Sequence, residues 1–127
     1  MTEHALKIIS DDMSALGVNY EFMTYDTKPI QYPYFVGEYQ EIEPENESGE
    51  QESLFIITGY SRATWSELEA IKSKIANLYN RITGKIVIVE DGSSVAIFYA
   101  NSQVLRTGDA ELKKIQINLN IKEWSVN

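Results

Sequence analysis

The chain has 127 residues, no cysteine, 43% hydrophobic residues and a formal net charge of −8. This length and hydrophobic content predict one soluble globular domain over residues 1–127, and the lack of cysteine excludes disulfides, thiolate catalysis and cysteine-based zinc sites. With 11 basic against 19 acidic residues, the chain lacks the basic footprint of a duplex-binding protein.

The N-terminal segment has helical periodicity. Four apolar residues recur at alternating spacings of three and four: Leu6, Ile9, Met13 and Leu16. This stripe predicts an amphipathic helix over residues 2–16, which Gly17 ends. The early acidic residues and the lack of an apolar stretch do not fit a signal peptide, and no apolar run is long enough to span a membrane.

Three strands are predicted after this helix. Residues 19–26 alternate in strand fashion, and a loop with two prolines follows. Residues 34–43 begin with aromatic and β-branched residues, and residues 53–60 are apolar enough for a central strand. The connection between the last two contains Pro44 and Gly49 as breakers. The pattern predicts an antiparallel hairpin with a long acidic tip.

Seven glutamates in this hairpin carry almost all of the net charge: Glu38, Glu41, Glu43, Glu45, Glu47, Glu50 and Glu52. A calcium loop is not indicated, because counting from Glu43 places Ser48 where an EF-hand needs glycine and Leu54 where it needs glutamate. Two interpretations remain. The segment is either a solvated flexible loop, or an arm whose charge serves an interface or lines a DNA passage, where carboxylates repel phosphates.

The alternation of Glu41, Glu43, Glu45 and Glu47 would place their side chains on one face of an extended chain, about 7 Å apart. The base of the hairpin contains Tyr32, Tyr34 and Phe35 beside prolines. These aromatics are candidates for contact area with a partner, and packing of the loop onto its own sheet explains them equally well.

A second helix is predicted from Thr64. Thr64 and Glu67 form a capping box, in which the Glu67 carboxylate is expected to return to the Thr64 amide. One apolar face then follows: Trp65, Leu68, Ile71, Ile75, Leu78 and Ile82. Gly84 is expected to end the helix.

The C-terminal third is predicted to form three further strands. Asp91 and Gly92 lie between two apolar runs and predict a tight hairpin, because both tolerate positive φ. Residues 113–124 alternate strictly, with one dry face and one wet face. The dry face consists of Ile115, Ile117, Leu119 and Ile121. The whole chain is therefore predicted to be an α+β domain in the order α-β-β-β-α-β-β-β, a largely antiparallel sheet with two helices packed on it.

Catalytic groups are scarce. The one histidine is His4, in the first turn of the first predicted helix, and the chain has no phosphate-binding glycine motif. Serine–histidine and cysteine–histidine sites are excluded, whereas a serine–lysine or paired-carboxylate site stays open with no motif that indicates one. No catalytic residue, cofactor site or metal site is predicted. We expect a non-enzymatic protein.

Three stretches together carry a resemblance to a known family: YPYFVGEYQEIE, FIITGYSRATWSELEAIKSKI and KKIQINLNIKEWSVN. They resemble the tail terminator or tail completion (tail-to-head joining) proteins of long-tailed phages and prophages of Gram-positive bacteria. The order of elements is also similar: a helix, a β-meander with a long hairpin, a second helix and a β-region ending in a long strand.

The resemblance implies a virion assembly protein, typically a homo-hexameric ring at the tail–head junction. Its expected partners are copies of itself, the tail tube protein and a neck or head completion protein, with DNA only as a passing polymer and no membrane. It would be made in the bacterial host cytoplasm and end in the virion. The glutamates from Glu41 to Glu52 would suit the lumen or rim of such a ring.

Two alternatives stay open. One is a head-side neck adaptor or stopper protein of the same virion. The other is an acidic host-directed binding module that mimics nucleic acid or captures a basic protein.

Overall fold

The computed structural model describes residues 1–43 and 50–125. In this part of the chain two helices and six strands follow the predicted order: α1 (Glu3–Ala15), β1 (Tyr20–Phe22), β2 (Tyr34–Ile42), β3 (Glu50–Ser61), α2 (Trp65–Leu78), β4 (Lys85–Ile88), β5 (Ser94–Leu105) and β6 (Lys113–Trp124). The predicted tip of the acidic hairpin, with Glu45 and Glu47, lies outside the described residues.

The six strands form one sheet in the order β1-β2-β3-β6-β5-β4. Every neighbouring pair is antiparallel except β1 and β2, which are parallel. The predicted fold class, a largely antiparallel sheet with two helices, is thus confirmed. The last strand, β6, lies at the centre and pairs along its full length with β3 on one side.

The core lies between one face of this sheet and the two helices. The alternation of β6 is confirmed, since its four predicted dry-face residues are all buried. The largest fully buried side chains are Tyr79, Phe35, Phe55, Ile9, Met13, Ile57, Leu68, Ile75, Ile97, Ile115, Ile117 and Leu119. Burial of such side chains supplies about 1.5–3 kcal/mol each relative to exposure, so this face holds the fold together. We call the other face of the sheet the open face.

The acidic hairpin is confirmed as an antiparallel pair of β2 and β3, in register from Tyr34 opposite Tyr60 to Ile42 opposite Glu52. The first predicted strand is shorter than residues 19–26. It ends at Phe22 because Met23 adopts a φ of 69°, a left-handed conformation that breaks an extended strand.

Helix α1 begins at a cap that involves the last strand. Thr2 is the N-cap, and its side chain accepts a hydrogen bond from the amide of Ala5 at 3.2 Å. The buried carboxylate of Glu123 accepts in turn from the Thr2 amide at 3.1 Å and the Thr2 hydroxyl at 2.5 Å. A negative charge suits a helix N-terminus, so this contact joins α1 to β6.

Helix α2 differs from the prediction at both ends. Thr64 caps it by accepting from the Glu67 amide at 3.2 Å, as predicted, but the Glu67 carboxylate accepts from the Ser61 hydroxyl at 2.6 Å instead of returning to Thr64. The helix ends at Leu78, and Ile82 is 86% exposed, so its assignment to the buried face was wrong. The cause is the Asn80 side chain, which accepts from the amides of Ile82 and Thr83 and turns the chain.

The tight turn at Asp91 and Gly92 is confirmed, because it joins the antiparallel strands β4 and β5. Only Gly92 has a positive φ, at 91°. Asp91 contributes through its carboxylate, which accepts hydrogen bonds from the amide and hydroxyl of Ser93. These bonds to the ionised form lower the pKa of Asp91.

One buried polar group offers a stability test. The Ser53 hydroxyl lies on the helix-facing side of β3 and has no hydrogen-bond partner among residues 1–43 and 50–125. Replacing Ser53 by alanine removes an unsatisfied buried group, and we expect the free energy of unfolding in urea to rise by about 1 kcal/mol. Ser61 is the matched control, because its buried hydroxyl donates to Glu67 and accepts from the Ala63 amide. Ser61→Ala should lower the free energy of unfolding. An equal decrease of the free energy of unfolding in both variants would contradict the prediction.

Candidate functional site

The outer part of the hairpin, residues 38–43 and 50–52, is called the acidic arm below. Every residue from 38 to 43 is exposed, including the large side chains of Tyr39 and Ile42. Strand β1 pairs with β2 only as far as Gly37, so beyond that point its one ring contact with the arm is between Phe22 and Tyr39, whose centres are 6.2 Å apart. On its inner side the arm remains part of the sheet, because residues 50–52 of β3 pair with residues 122–124 of β6. Its outer strand, residues 38–42 of β2, is an open edge of the sheet, and such an edge is a typical place for a partner to bind.

The sheet divides the carboxylates of the acidic arm between its two faces. Glu41 lies on the helix side, where its carboxylate forms an ion pair with the amino group of Met1. Glu38, Glu50 and Glu52 alternate with buried residues and lie on the open face, where Glu52 is 3.8 Å from the Lys122 ammonium. Of the four glutamates predicted to share one face, only Glu41 lies within a described strand, and Glu43 follows the end of β2.

An aromatic cluster occupies the other end of the open face. The ring of Tyr34 stacks on Tyr25 at 4.4 Å and on Tyr60 at 4.8 Å, and lies 5.4 Å from Tyr32. Burial, followed by the charges of neighbouring tyrosines, raises the pKa of Tyr34. The cluster therefore fastens the loop between β1 and β2 to the sheet, and leaves Tyr32 and Tyr34 half-buried.

Two cations lie over this cluster. The Arg62 guanidinium is 5.5 Å from the centre of the Tyr32 ring, and the Lys114 ammonium is 5.5 Å from that of Tyr60. Arg62 also pairs with Asp109 at 3.2 Å. Sequence reasoning identified Tyr32 and Tyr34 but missed Tyr60, Arg62 and Lys114. These residues lie in β3, directly after β3 and in β6, and only the strand pairing brings them together.

Phe35 differs from the other predicted contact residues. It is 0% exposed and its ring lies over Gly59 on the helix-facing side of the sheet. A side chain so placed packs in the core of its own chain. The contact surface proposed below therefore uses Tyr32 and Tyr34.

Away from these surfaces, a partly buried carboxylate joins three segments of the chain. The carboxylate of Asp12 on α1 accepts from the Tyr79 hydroxyl at 2.7 Å and from the Lys85 ammonium at 2.5 Å. No periodic pattern predicts this contact, since Tyr79 follows α2 and Lys85 begins β4. Its role is to hold α1 against the far edge of the sheet.

Raising the pH above about 10 is expected to destabilise the protein. Burial, together with the hydrogen bond to Asp12, raises the pKa of Tyr79, and burial raises that of Tyr20. Because the folded-state pKa is the higher one, this stability is fully present below the unfolded pKa and is lost as the pH rises, by about 1.4 kcal/mol per pH unit for Tyr79. Urea unfolding from about pH 8 to about pH 11 measures the slope. Tyr79→Phe should flatten it, and an unchanged slope would contradict the assignment.

Among residues 1–43 and 50–125, no group of three or more acidic or histidine side chains is arranged to hold a metal ion. Within the same part of the chain, no helix is long and apolar enough to cross a membrane.

Comparison with known proteins supports the fold. No protein-family model matches the sequence, and no curated protein matches it. Among solved structures, a chain of the "Virion of native gene transfer agent (GTA) particle" is similar with a TM-score of 0.67 and 11% sequence identity. The similarity covers 89% of this chain and 84% of that chain, so nearly the whole of both share one fold.

Proposed function

We propose that this protein is a non-enzymatic virion structural protein, a tail terminator or tail completion protein that forms a ring at the tail–head junction of a long-tailed phage or prophage. The observation that carries the proposal is the similarity of fold, over 89% of the chain, to a chain of a gene transfer agent virion. The order of elements, which resembles that of the tail terminator group, supports it as well.

In this proposal the protein is made in the host cytoplasm and assembles as a homo-hexamer on the tail tube. It binds the tail tube protein on one side and a neck or head completion protein on the other. DNA passes through the ring without being bound, and the acidic arm faces that passage or its rim. Carboxylates at such a position repel phosphates within roughly 10 Å and keep the polymer from adhering.

The aromatic cluster is the proposed contact surface for a virion partner. Tyr32 and Tyr34 are half-buried, and Arg62 and Lys114 lie over the cluster. Aromatic and arginine side chains are enriched in protein interfaces. Aromatic rings offer a large contact area at little cost in side-chain entropy, and the guanidinium offers several hydrogen-bond donors and stacks on aromatic rings.

Deletion of the gene in the parent phage, followed by electron microscopy of the particles, tests the proposal. Overlong or unjoined tails beside filled heads are the expected result, and expression of the protein from a plasmid should restore joined particles. Normal particles without the protein would overturn the virion role.

A head-side neck adaptor or stopper is the second candidate, since the similarity to a virion chain supports it equally. Purified tails and filled heads, each incubated with the protein, separate the two, because a terminator binds tails and an adaptor or stopper binds heads. A host-directed binding module would instead be a stable monomer, absent from virions, that captures a basic host protein.

Reversing four charges of the acidic hairpin, two in the acidic arm and two in the predicted tip, tests the proposed place of the hairpin in the ring. Replacing Glu41, Glu43, Glu45 and Glu47 by lysine should impair DNA passage, because lysines in a DNA passage bind phosphate. The measurement is the amount of DNA ejected from purified particles, alongside the number of joined particles.

The matched control replaces four exposed acidic residues outside the arm, Asp11, Asp26, Glu90 and Glu111, by lysine, which changes the net charge equally. Unchanged assembly and ejection in the arm variant would refute the lumen position. An equal loss in both variants would attribute the effect to net charge alone.

A further inference from the structure

The two outer strands of the sheet are shorter than their neighbours. Strand β4 has four residues and pairs with β5 from Ser94 to Ile97, although β5 continues to Leu105. Strand β1 has three residues and pairs with β2 from Phe35 to Gly37, although β2 continues to Ile42. Each edge of the sheet therefore has a step, where the next strand becomes the outermost one.

These steps leave two open edges of equal length. Residues 101–105 of β5 and residues 38–42 of β2 each pair with one strand on their inner side, and the described part of the chain places no strand on their outer side. Beyond Tyr99, whose amide donates to the Tyr79 carbonyl, the outer backbone groups of β5 face away from the sheet. Exposed edges of this kind pair readily with another strand.

The polarity of the two edges suits pairing between copies. Strands β2 and β3, β3 and β6, and β6 and β5 are each antiparallel, so β2 and β5 run in opposite directions. A second copy in the same orientation would therefore bring its β2 antiparallel to β5 of the first, with the helices of both copies on the same side of a continuous sheet. One register that aligns the faces pairs Tyr39 with Val104 and Gln40 with Gln103.

The side chains at the two edges are complementary. Glu38 and Glu41 flank the open edge of β2 and are exposed, and the Glu41 carboxylate also forms the ion pair with the amino group of Met1. At the open edge of β5, Arg106 directly follows the strand, and Arg81 reaches across to lie 5.5 Å from the Tyr99 ring. Each edge also exposes an apolar side chain, Tyr39 on β2 and, at 55% exposure, Val104 on β5.

From these observations we propose that the open edge of β2 in one copy pairs with the open edge of β5 in the next, so that one β-sheet continues from subunit to subunit. The contact is heterologous, and repeated contacts of this type close into a ring or extend into a filament. As the interface of a ring at the tail–head junction, it rests on the proposed function.

Cysteine cross-linking tests the contact, and the chain has no native cysteine to interfere. In the Gln40→Cys/Gln103→Cys variant, the proposed register places the two positions opposite each other, about 4.5–5.5 Å apart between Cα atoms, within reach of a disulfide. Oxidation of concentrated protein, or of particles that contain it, should give a ladder of covalent oligomers on a non-reducing gel. Each single variant should stop at a dimer or remain monomeric.

The matched control is Gln40→Cys/Ile86→Cys, with the second cysteine on the exposed face of the neighbouring edge strand β4. It should give no ladder. A ladder from this control as strong as from the test pair, or no ladder from the test pair in both solution and particles, would overturn the proposal.

A backbone substitution provides an independent test. Strand β5 has a bulge between Tyr99 and Asn101, and beyond it the Val104 amide points to the outer side of the sheet, as the Tyr99 amide does. Val104→Pro should therefore preserve the pairing with β6 and remove a hydrogen-bond donor from the open edge. We expect self-association of the Val104→Pro variant, measured by sedimentation, to weaken roughly tenfold or more. Self-association of Val104→Thr should be unchanged, and the two variants should have similar melting temperatures. Equal association of the two variants would contradict edge pairing.

The outcomes also separate this inference from the proposed function. A ladder together with normal particles after gene deletion would leave the contact standing and remove the virion role. Unjoined tails after gene deletion, without a ladder from particles, would leave the virion role standing and remove the contact.

Discussion

Replacing Gly59 by alanine is expected to lower the free energy of unfolding by about 2–3 kcal/mol. Gly59 lies in β3 near the centre of the sheet, opposite Phe35 on β2 and Ile115 on β6. An added Cβ would lie within 2.6–2.8 Å of ring atoms of Phe35, which is fully buried and has no open space to enter. Because Gly59 does not have a positive φ, the cost is steric and not conformational.

Two comparisons isolate this steric cause. Gly17 has a φ of +75° and no atom within 4 Å of an added Cβ, so Gly17→Ala should cost only about 1 kcal/mol through backbone strain. Combining Gly59→Ala with Phe35→Leu should cost less than the sum of the two single changes, because the smaller side chain makes room. Chemical denaturation of the four proteins measures the coupling. Strict additivity would show that the aromatic ring is not the obstacle.

The second large effect is expected at Asp12. Its side chain is 13% exposed and accepts hydrogen bonds from Tyr79 and Lys85. Asp12→Ala leaves a buried hydroxyl without an acceptor and a half-buried ammonium without its counter-charge. We expect a loss of about 2–4 kcal/mol in the free energy of unfolding, measured in urea near neutral pH.

The neighbouring residue supplies a control. Asp11 pairs with Lys7 at 2.8 Å on the solvent side of the same helix, where both side chains are more than half exposed. Asp11→Ala should change stability by less than about 1 kcal/mol, as is usual for surface ion pairs. A double-mutant cycle of Asp12→Ala with Tyr79→Phe should show a coupling of about 1 kcal/mol. Similar losses at Asp11 and Asp12 would contradict the importance of the buried contact.

Much of the architecture follows from local patterns in the sequence. The strict alternation of β6, the tight turn before β5 and the stripe of α1 each depend on neighbours within a few residues. They predicted the type and order of every element. The length of α2 was overestimated because Ile82 continues the helical spacing, whereas the side chain of Asn80 turns the chain before it.

Features that depend on pairing between distant segments were not predictable in the same way. Nothing local distinguishes a last strand at the sheet edge from one at its centre, or indicates that β1 runs parallel to β2. The sequence predicts the candidate surfaces only in part. Tyr32, Tyr34 and the glutamates stand out by composition, but the division of the carboxylates between two faces depends on the register of β2 and β3. Glu123 did carry a signal, since it continues the dry-face alternation of β6.

The central position of β6 has a consequence for synthesis of the protein. The strands of the β2–β3 and β4–β5 hairpins have all been made once residue 105 has been added. The two hairpins are joined into one sheet only by β6, which lies between β3 and β5 and pairs with both. Until residues 113–124 emerge from the ribosome, the edges of β3 and β5 that pair with β6 have no partner strand. Folding of the whole domain therefore follows translation of its last strand, and a nascent chain cannot enter an assembly before that strand is in place.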